Sequence, residues 1–117
     1  MADQQTIEFF NGVLSKTRAG KISWKPTAED SNFIATIGGQ YVLSVSAYDV
    51  EAFLAEVPQP RYALVLRDRN GDELTTVTDT DQEISANEIQ ELYETARRKA
   101  IRVDEKIGGV LEVLSRL

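Results

Sequence analysis

The chain has 117 residues, 42% of them hydrophobic and 27% charged, which predicts one globular domain over residues 1–117. It contains neither cysteine nor histidine, and this excludes disulfides, the common cysteine and histidine catalytic triads, and the usual zinc and haem ligands. The net charge of −6 opposes attraction to nucleic acid or to an anionic membrane surface.

An amphipathic helix opens the predicted fold. Apolar residues between positions 3 and 19 recur at helical spacing, and Gly20 follows them as a typical helix stop. The helix therefore needs an apolar surface to pack on. After it, Ile22 and Trp24 alternate with polar neighbours, which predicts a first strand over 21–25 that ends at Pro26.

A hairpin follows the first strand. Strand-like runs over 32–37 and 40–49 are joined by Gly38-Gly39, and glycines can adopt the positive φ angles that a tight turn requires. In the second run, one face carries Tyr41, Leu43, Val45 and Ala47, because alternate residues of a strand lie on the same side of a sheet. We expect this face to be buried.

A short helix and a second hairpin come next. Residues 49–57 predict a short helix that ends before Pro58 and Pro60. Residues 61–68 and 73–78 then predict two strands, because they flank Asn70-Gly71, a strong hairpin signal.

The chain ends in a long amphipathic helix predicted over 86–117. Ser85 and Glu88 form a capping box at its start. Its apolar residues fall into two columns spaced by seven, the pattern of a coiled coil or of helices packed side by side. In interleaved order these residues are Ile89, Tyr93, Ala96, Ala100, Val103, Ile107, Val110, Leu114 and Leu117.

Together these elements predict an α+β fold. The expected order is helix, three strands, short helix, two strands and long helix. The antiparallel sheet should have about five strands, with the first and last helices packed on one of its faces.

The length of the last helix favours self-association. Thirty-two helical residues would extend ~48 Å, whereas an eight-residue strand spans only ~27 Å. The apolar seam is completed either within the chain, with a bend at Gly108-Gly109 or with the first helix alongside, or by a second copy, and its length favours the copy. Sorted charges along the helix favour antiparallel pairing. We predict a homodimer whose contacts are Tyr93, Ala96, Ala100, Val103, Ile107, Val110 and Leu114.

A basic strip is the best candidate for contact with an anion or a nucleic acid. It comprises Lys16, Arg18, Lys21, Trp24 and Lys25, with no acidic residue among them. A basic strip with an aromatic residue is one footprint of nucleic-acid binding. Because the net charge opposes nucleic acid, and because a tryptophan is more often a core residue, this is the secondary hypothesis.

No catalytic residue, cofactor or metal site is predicted. Residues 68–94 include nine acids, but the stretch that begins at Asp79 has Ile84 and Gln90 where a calcium-binding EF-hand loop needs glycine and glutamate. No motif singles out an acid-base pair among the 19 carboxylates. We therefore expect a non-enzymatic interaction or adaptor domain.

The element order, the acidic balance and the size resemble those of class I type III secretion chaperones, small bacterial dimers that hold an extended stretch of a secreted partner. This resemblance implies partner binding without catalysis, with apolar patches on the sheet and the short helix receiving the client. The first residues lack a basic region followed by an apolar run, and no run of about 18 apolar residues occurs. We therefore expect a cytoplasmic chain without a signal peptide or a membrane span.

Overall fold

The helices and strands follow one another in the order of an α+β domain. A computed structural model describes residues 4–50, 59–80 and 84–117. The elements are α1 (Gln4–Arg18), β1 (Lys25–Pro26), β2 (Asn32–Ile37), β3 (Tyr41–Val50), β4 (Gln59–Asp68), β5 (Glu73–Thr78), α2 (Ala86–Ala100) and α3 (Val103–Ser115). The predicted fold class, with an antiparallel sheet of five strands, is confirmed.

The sheet is an antiparallel meander in the order β1-β2-β3-β4-β5. One row of facing residues crosses four strands: Phe33 lies opposite Val45, Val45 opposite Leu64, and Leu64 opposite Val77. All four are buried. Since alternate residues of a strand share a face, this row marks the core side of the sheet. The predicted buried face of β3 is confirmed at Leu43 and Val45, whereas Tyr41, at the start of the strand, is 41% exposed.

Helices α1 and α2 supply the other half of the core. Their buried side chains are Phe10, Val13, Leu14 and Thr17 of α1 and Ile89, Leu92, Ala96 and Ala100 of α2. Gly20, with a φ of 73°, follows α1 as the predicted stop. The Lys21 N–H closes this turn by donating to the Lys16 carbonyl at 2.9 Å.

Both predicted hairpin turns are present. Gly38 and Gly39 have φ angles of 60° and 68°, the left-handed conformation for which glycine is favoured. Gly71 has a φ of 90°. The Asp68 carboxylate accepts hydrogen bonds from the Asn70 and Asp72 N–H groups at 2.9 and 3.0 Å. This acidic residue therefore stabilises a turn.

Two strand predictions need correction. The first strand is Lys25–Pro26 rather than 21–25. Pro26 is tolerated there because β1 lies at the edge of the sheet, where one side of the backbone has no strand partner. The helix predicted over 49–57 is wrong at its start, because Asp49 and Val50 continue β3 opposite Pro60 and Gln59. The rest of that predicted helix, residues 51–57, lies outside the described residues.

The prediction of one continuous helix over 86–117 is wrong. The chain turns at Ile101–Arg102 and forms two helices, α2 and α3. Arg102 has φ 57° and ψ 48°, a left-handed conformation that ends a helix. The Lys106 N–H donates to the Arg102 carbonyl at 3.0 Å, so α3 starts directly from this residue. The break falls before Gly108-Gly109, which lie within α3.

The capping box at the start of α2 is also only partly present. Ser85 occupies the N-cap position, but its side chain makes no capping hydrogen bond. Its backbone carbonyl accepts from the N–H groups of Glu88 and Ile89 at 3.0 and 3.1 Å. The sequence thus located the helix start correctly while the predicted side-chain bond is missing.

Candidate interaction surface

Helix α3 presents an apolar face that its own chain leaves exposed. At 100° per residue, Ile107, Val110, Leu111 and Leu114 fall on one side of the helix, with Val113 at the margin and Leu117 just beyond the helix end. The first five are between 48% and 61% exposed, and Leu117 is 93% exposed. Soluble monomers rarely expose an apolar patch of this extent without a role for it. We call these six residues the α3 face.

The opposite side of α3 is polar or small. Gly108, Gly109, Glu112 and Ser115 lie there, and Glu112 pairs with Arg116 at 2.6 Å. Every described side chain from residue 105 to the end is exposed. Helix α3 therefore adds little to the core of its own domain, and its apolar face needs another surface to be buried.

The predicted association residues separate into two groups. Ala96 and Ala100 are buried in the core, and Tyr93 packs with its ring centroid 5.7 Å from that of Phe33 and 5.4 Å from that of Tyr62. These three residues face their own sheet. Ile107, Val110 and Leu114 remain exposed on α3, and Val103 is the first residue of that helix. Among the predicted association residues whose side chains the structure describes, Ile107, Val110 and Leu114 are the ones exposed to a partner.

Trp24 of the basic strip is a core residue. It is 4% exposed, and its Nε1 donates to Oγ1 of Thr17, itself fully buried, at 3.0 Å. A base cannot stack on an indole in this position, since stacking requires an exposed ring face. The aromatic part of the predicted nucleic-acid site is thus absent from the surface.

Arg18 of the same strip already has a partner. Its Nε and Nη2 donate to the two carboxylate oxygens of Glu91 at 2.6 and 2.7 Å. These hydrogen bonds raise the pKa of Arg18 and lower the pKa of Glu91. The pair joins α1 to α2 and occupies Glu91, an acidic residue in the first half of the predicted last helix. Lys16, Lys21 and Lys25 are exposed but line two different depressions.

The first depression is an apolar groove of about 470 Å³ beside α1. Its floor and walls are formed by Phe9, Gly12, Val13, Ile22, Ile37 and Leu43. Glu8, Lys16 and Lys21 also line it and supply its charged groups. We call this surface the α1 groove. Sequence reasoning missed it, because the groove is assembled from α1, β2, β3 and the segment between α1 and β1; the one available signal was Gly12 in the middle of a predicted helix.

The second depression, of about 680 Å³, lies where α2 meets the segment before β1. It brings Lys25 together with Lys99 and Arg102. Ala100, the last residue of α2, and Gly20, two residues after the end of α1, also line this depression. Helix C-termini carry partial negative charge that disfavours a bound anion. Two helix C-termini, each with about half a negative charge, offset about one of the three cationic side chains.

Two tyrosines and one ion pair carry the remaining features of the ionisable groups in the described part of the chain. Burial raises the pKa of Tyr62 and of Tyr93, so both phenols stay protonated at neutral pH. The Asp79 carboxylate lies 3.7 Å from the guanidinium of Arg61. Among the described residues, no group of three or more acidic side chains could hold a metal ion.

Comparisons of the chain with protein-family models, with curated proteins and with solved structures found no match. The resemblance to secretion chaperones therefore rests on element order, charge and size alone. None of the described helices combines the length and apolar character needed to cross a lipid bilayer.

Proposed function

We propose that this protein is a non-enzymatic interaction domain that forms a homodimer through the α3 face. The observation that carries the proposal is the exposure of the α3 face on a helix outside the core of its own domain. Burying such a surface is favourable by roughly 25 cal/mol per Å² of apolar area. A second copy of the chain is the partner always present wherever the protein is made.

The shape of the chain supports a partner for α3. The Cα radius of gyration is 16.1 Å, against about 13 Å for a compact chain of this length. A helix that stands away from the domain increases this radius. The two glycines within α3 each weaken an isolated helix by about 1 kcal/mol relative to alanine, so α3 depends on packing to be stable.

A small, acidic, chaperone-like client binder is the alternative from the same class of function. Ile34, Tyr48 and Leu74 are exposed on the sheet, and single exposed apolar residues are ordinary features of protein surfaces. The client site implied by the resemblance also needs the short helix predicted over 49–57, of which residues 51–57 lie outside the described residues. The α3 face is the larger apolar surface and favours self-association.

Nucleic-acid binding through the 16–25 strip is the less supported alternative. Trp24 is buried and Arg18 is paired. Residual binding through the three lysines would show retention on a nucleic-acid column that weakens steeply with salt. We expect little retention at physiological ionic strength.

Native mass measured by light scattering over a range of concentrations tests the proposal. The chain mass is 13.1 kDa, and we expect a mass near twice that value at high concentration. Leu114→Asp should shift the mass to that of the monomer, because it places a charge in the α3 face. Ser115→Asp is the matched control: it introduces the same charge one residue away, on the polar side of the helix.

The two variants separate association from folding. Leu114 is 57% exposed, so its replacement should leave the circular dichroism of the domain unchanged. A wild-type chain that stays at monomer mass at every concentration would contradict the proposal. If the native mass of both variants falls to that of the monomer, added charge on α3 governs association rather than the α3 face.

A further inference from the structure

The α1 groove is the surface that fits the α3 face. We propose that α3 of one copy lies in the α1 groove of the other copy, and that the exchange is reciprocal about a two-fold axis. This inference rests on the proposed self-association through α3 and specifies which surface receives the helix.

Gly12 gives the first argument. Gly12 is an exposed residue in the middle of α1 and lines the groove. Glycine in a helix interior is unfavourable relative to alanine. A Cβ built at Gly12 meets no atom within 4 Å, and its φ is not positive. The isolated chain therefore needs no glycine here. A second helix that packs closely against α1 would require glycine at this position, because any side chain here would fill the groove.

The dimensions of the two surfaces agree. Residues 8–16 of α1 line a groove about 12 Å long, and residues 107–114 of α3 span about 10 Å, at 1.5 Å per helical residue. The groove volume of about 470 Å³ is roughly three times the 150 Å³ that accommodates a benzene-sized group. Side chains such as Ile107, Leu111 and Leu114 are three groups of that size, separated by one helical turn each.

The area that a stable dimer needs favours exchange over pairing of the two α3 helices. One face of a 13-residue helix is about 20 Å long and 10 Å wide, a footprint of about 200 Å². A stable interface buries about 800 Å² per partner. In reciprocal exchange each copy contributes one helix and one groove, a footprint of about 400 Å², which is half of a standard interface and twice that of a single helix contact. A pair of α3 helices of fewer than two heptads would bury much less.

The position of α3 makes the exchange short. The α1 groove and the basic depression share Ile22, and the basic depression also contains Arg102, where α3 begins. Each α3 thus leaves its domain close to its own groove, yet the α3 face is exposed and does not fill that groove. A two-fold axis that passes near Arg102 would bring each helix to the groove of the other copy.

Cross-linking tests the arrangement directly, because the chain contains no cysteine. One tagged chain carries Lys16→Cys at the groove and a second, untagged chain carries Leu111→Cys on α3. After mixing, a short bifunctional thiol reagent should join the two different chains. If Leu111→Cys chains join only to one another, the α3 helices pair directly and the exchange is wrong.

Substitution of Gly12 provides the second measurement. Gly12→Gln should weaken dimerisation by at least about tenfold, since it overpacks the groove. Asn11→Gln introduces the same side chain at an exposed position of α1 that does not line the groove, and should leave the dissociation constant unchanged. Both variants should unfold at urea concentrations no lower than wild type when monomeric, because a side chain at Gly12 meets nothing in its own chain.

The outcomes distinguish this inference from the proposed function. If the wild type is monomeric at all concentrations, the proposed self-association fails and the exchange fails with it. If Leu114→Asp dissociates a dimer that Gly12→Gln leaves intact, self-association stands and the exchange is overturned. If a single chain that carries both cysteines cross-links internally and keeps the monomer mass, α3 lies in its own groove. This result would overturn both the self-association and the exchange.

Discussion

At the scale of single residues, Trp24 shows how one buried polar contact connects two elements. Its indole N–H donates to the Thr17 hydroxyl, and both side chains are buried. A buried donor left without an acceptor loses the hydrogen bonds that water would give it in the unfolded chain. The same contact turns a residue that composition alone would offer for base stacking into part of the core.

We predict that Thr17→Val destabilises the domain by about 1–3 kcal/mol, because it leaves the Trp24 N–H buried without an acceptor. In a Trp24→Phe background the same substitution should cost much less, since both partners are then apolar. Urea unfolding followed by circular dichroism measures all four chains of this double-mutant cycle. Equal costs in the two backgrounds would show that the hydrogen bond contributes nothing.

At the scale of elements, the sequence predicted strand faces and turns better than helix length. The burial of Leu43 and Val45 and the turn at Gly38-Gly39 follow from local rules that the structure obeys. The break at Arg102 does not follow from such rules, because the residue in the left-handed conformation is an arginine rather than a glycine. The seven-residue spacing of apolar residues continues across the break because α2 and α3 each have an apolar face. The apolar face of α2 packs in the core of its own domain, whereas that of α3 is exposed.

The candidate interaction surface was also predictable only in part, because local sequence patterns do not show how the elements pack on one another. Ile107, Val110 and Leu114 were found from their spacing, whereas Ala96 was assigned to the same seam although it packs inside its own chain. Spacing shows that a helix has an apolar face but not which surface covers it. The α1 groove depends on the relative positions of α1, β2 and β3, which no local pattern encodes.

The contact between α1 and α2 predicts a dependence of stability on pH. Arg18 holds the pKa of Glu91 below its ordinary value of 4.5 in the folded chain, mainly through hydrogen bonds. The folded state therefore binds this proton less readily than the unfolded state. The stabilisation is complete above about pH 4.5 and is lost as the pH falls through the lowered pKa.

Glu91→Gln should accordingly reduce the loss of stability in acid. Urea midpoints at pH 6 and pH 3 measure the effect, and we expect the wild type to lose more stability between them than the variant does. The difference should be small because both side chains are about half exposed. Glu112→Gln provides a control, since Glu112 pairs only along α3 with Arg116 and should leave the acid dependence of domain unfolding unchanged.

At the scale of the whole molecule, the domain and α3 have separate tasks. The described core side chains come from α1, α2, the sheet and the segments that flank them, while the described side chains after residue 104 are all exposed. Removing residues 103–117 should therefore lower the unfolding free energy of the monomer by less than the roughly 2–5 kcal/mol that truncation of one large buried side chain costs. The same truncation should abolish dimerisation.

Concentration separates these two effects in one experiment. A dimer gains about 1.4 kcal/mol of stability for each tenfold rise in concentration, because association is linked to folding. Full-length chain should thus unfold at higher temperature as its concentration rises, whereas chain 1–102 should show one unfolding temperature throughout. If chain 1–102 is unfolded at every temperature, α3 instead contributes to the core. If the unfolding temperature of chain 1–102 still depends on concentration, the dimer contact lies on the sheet.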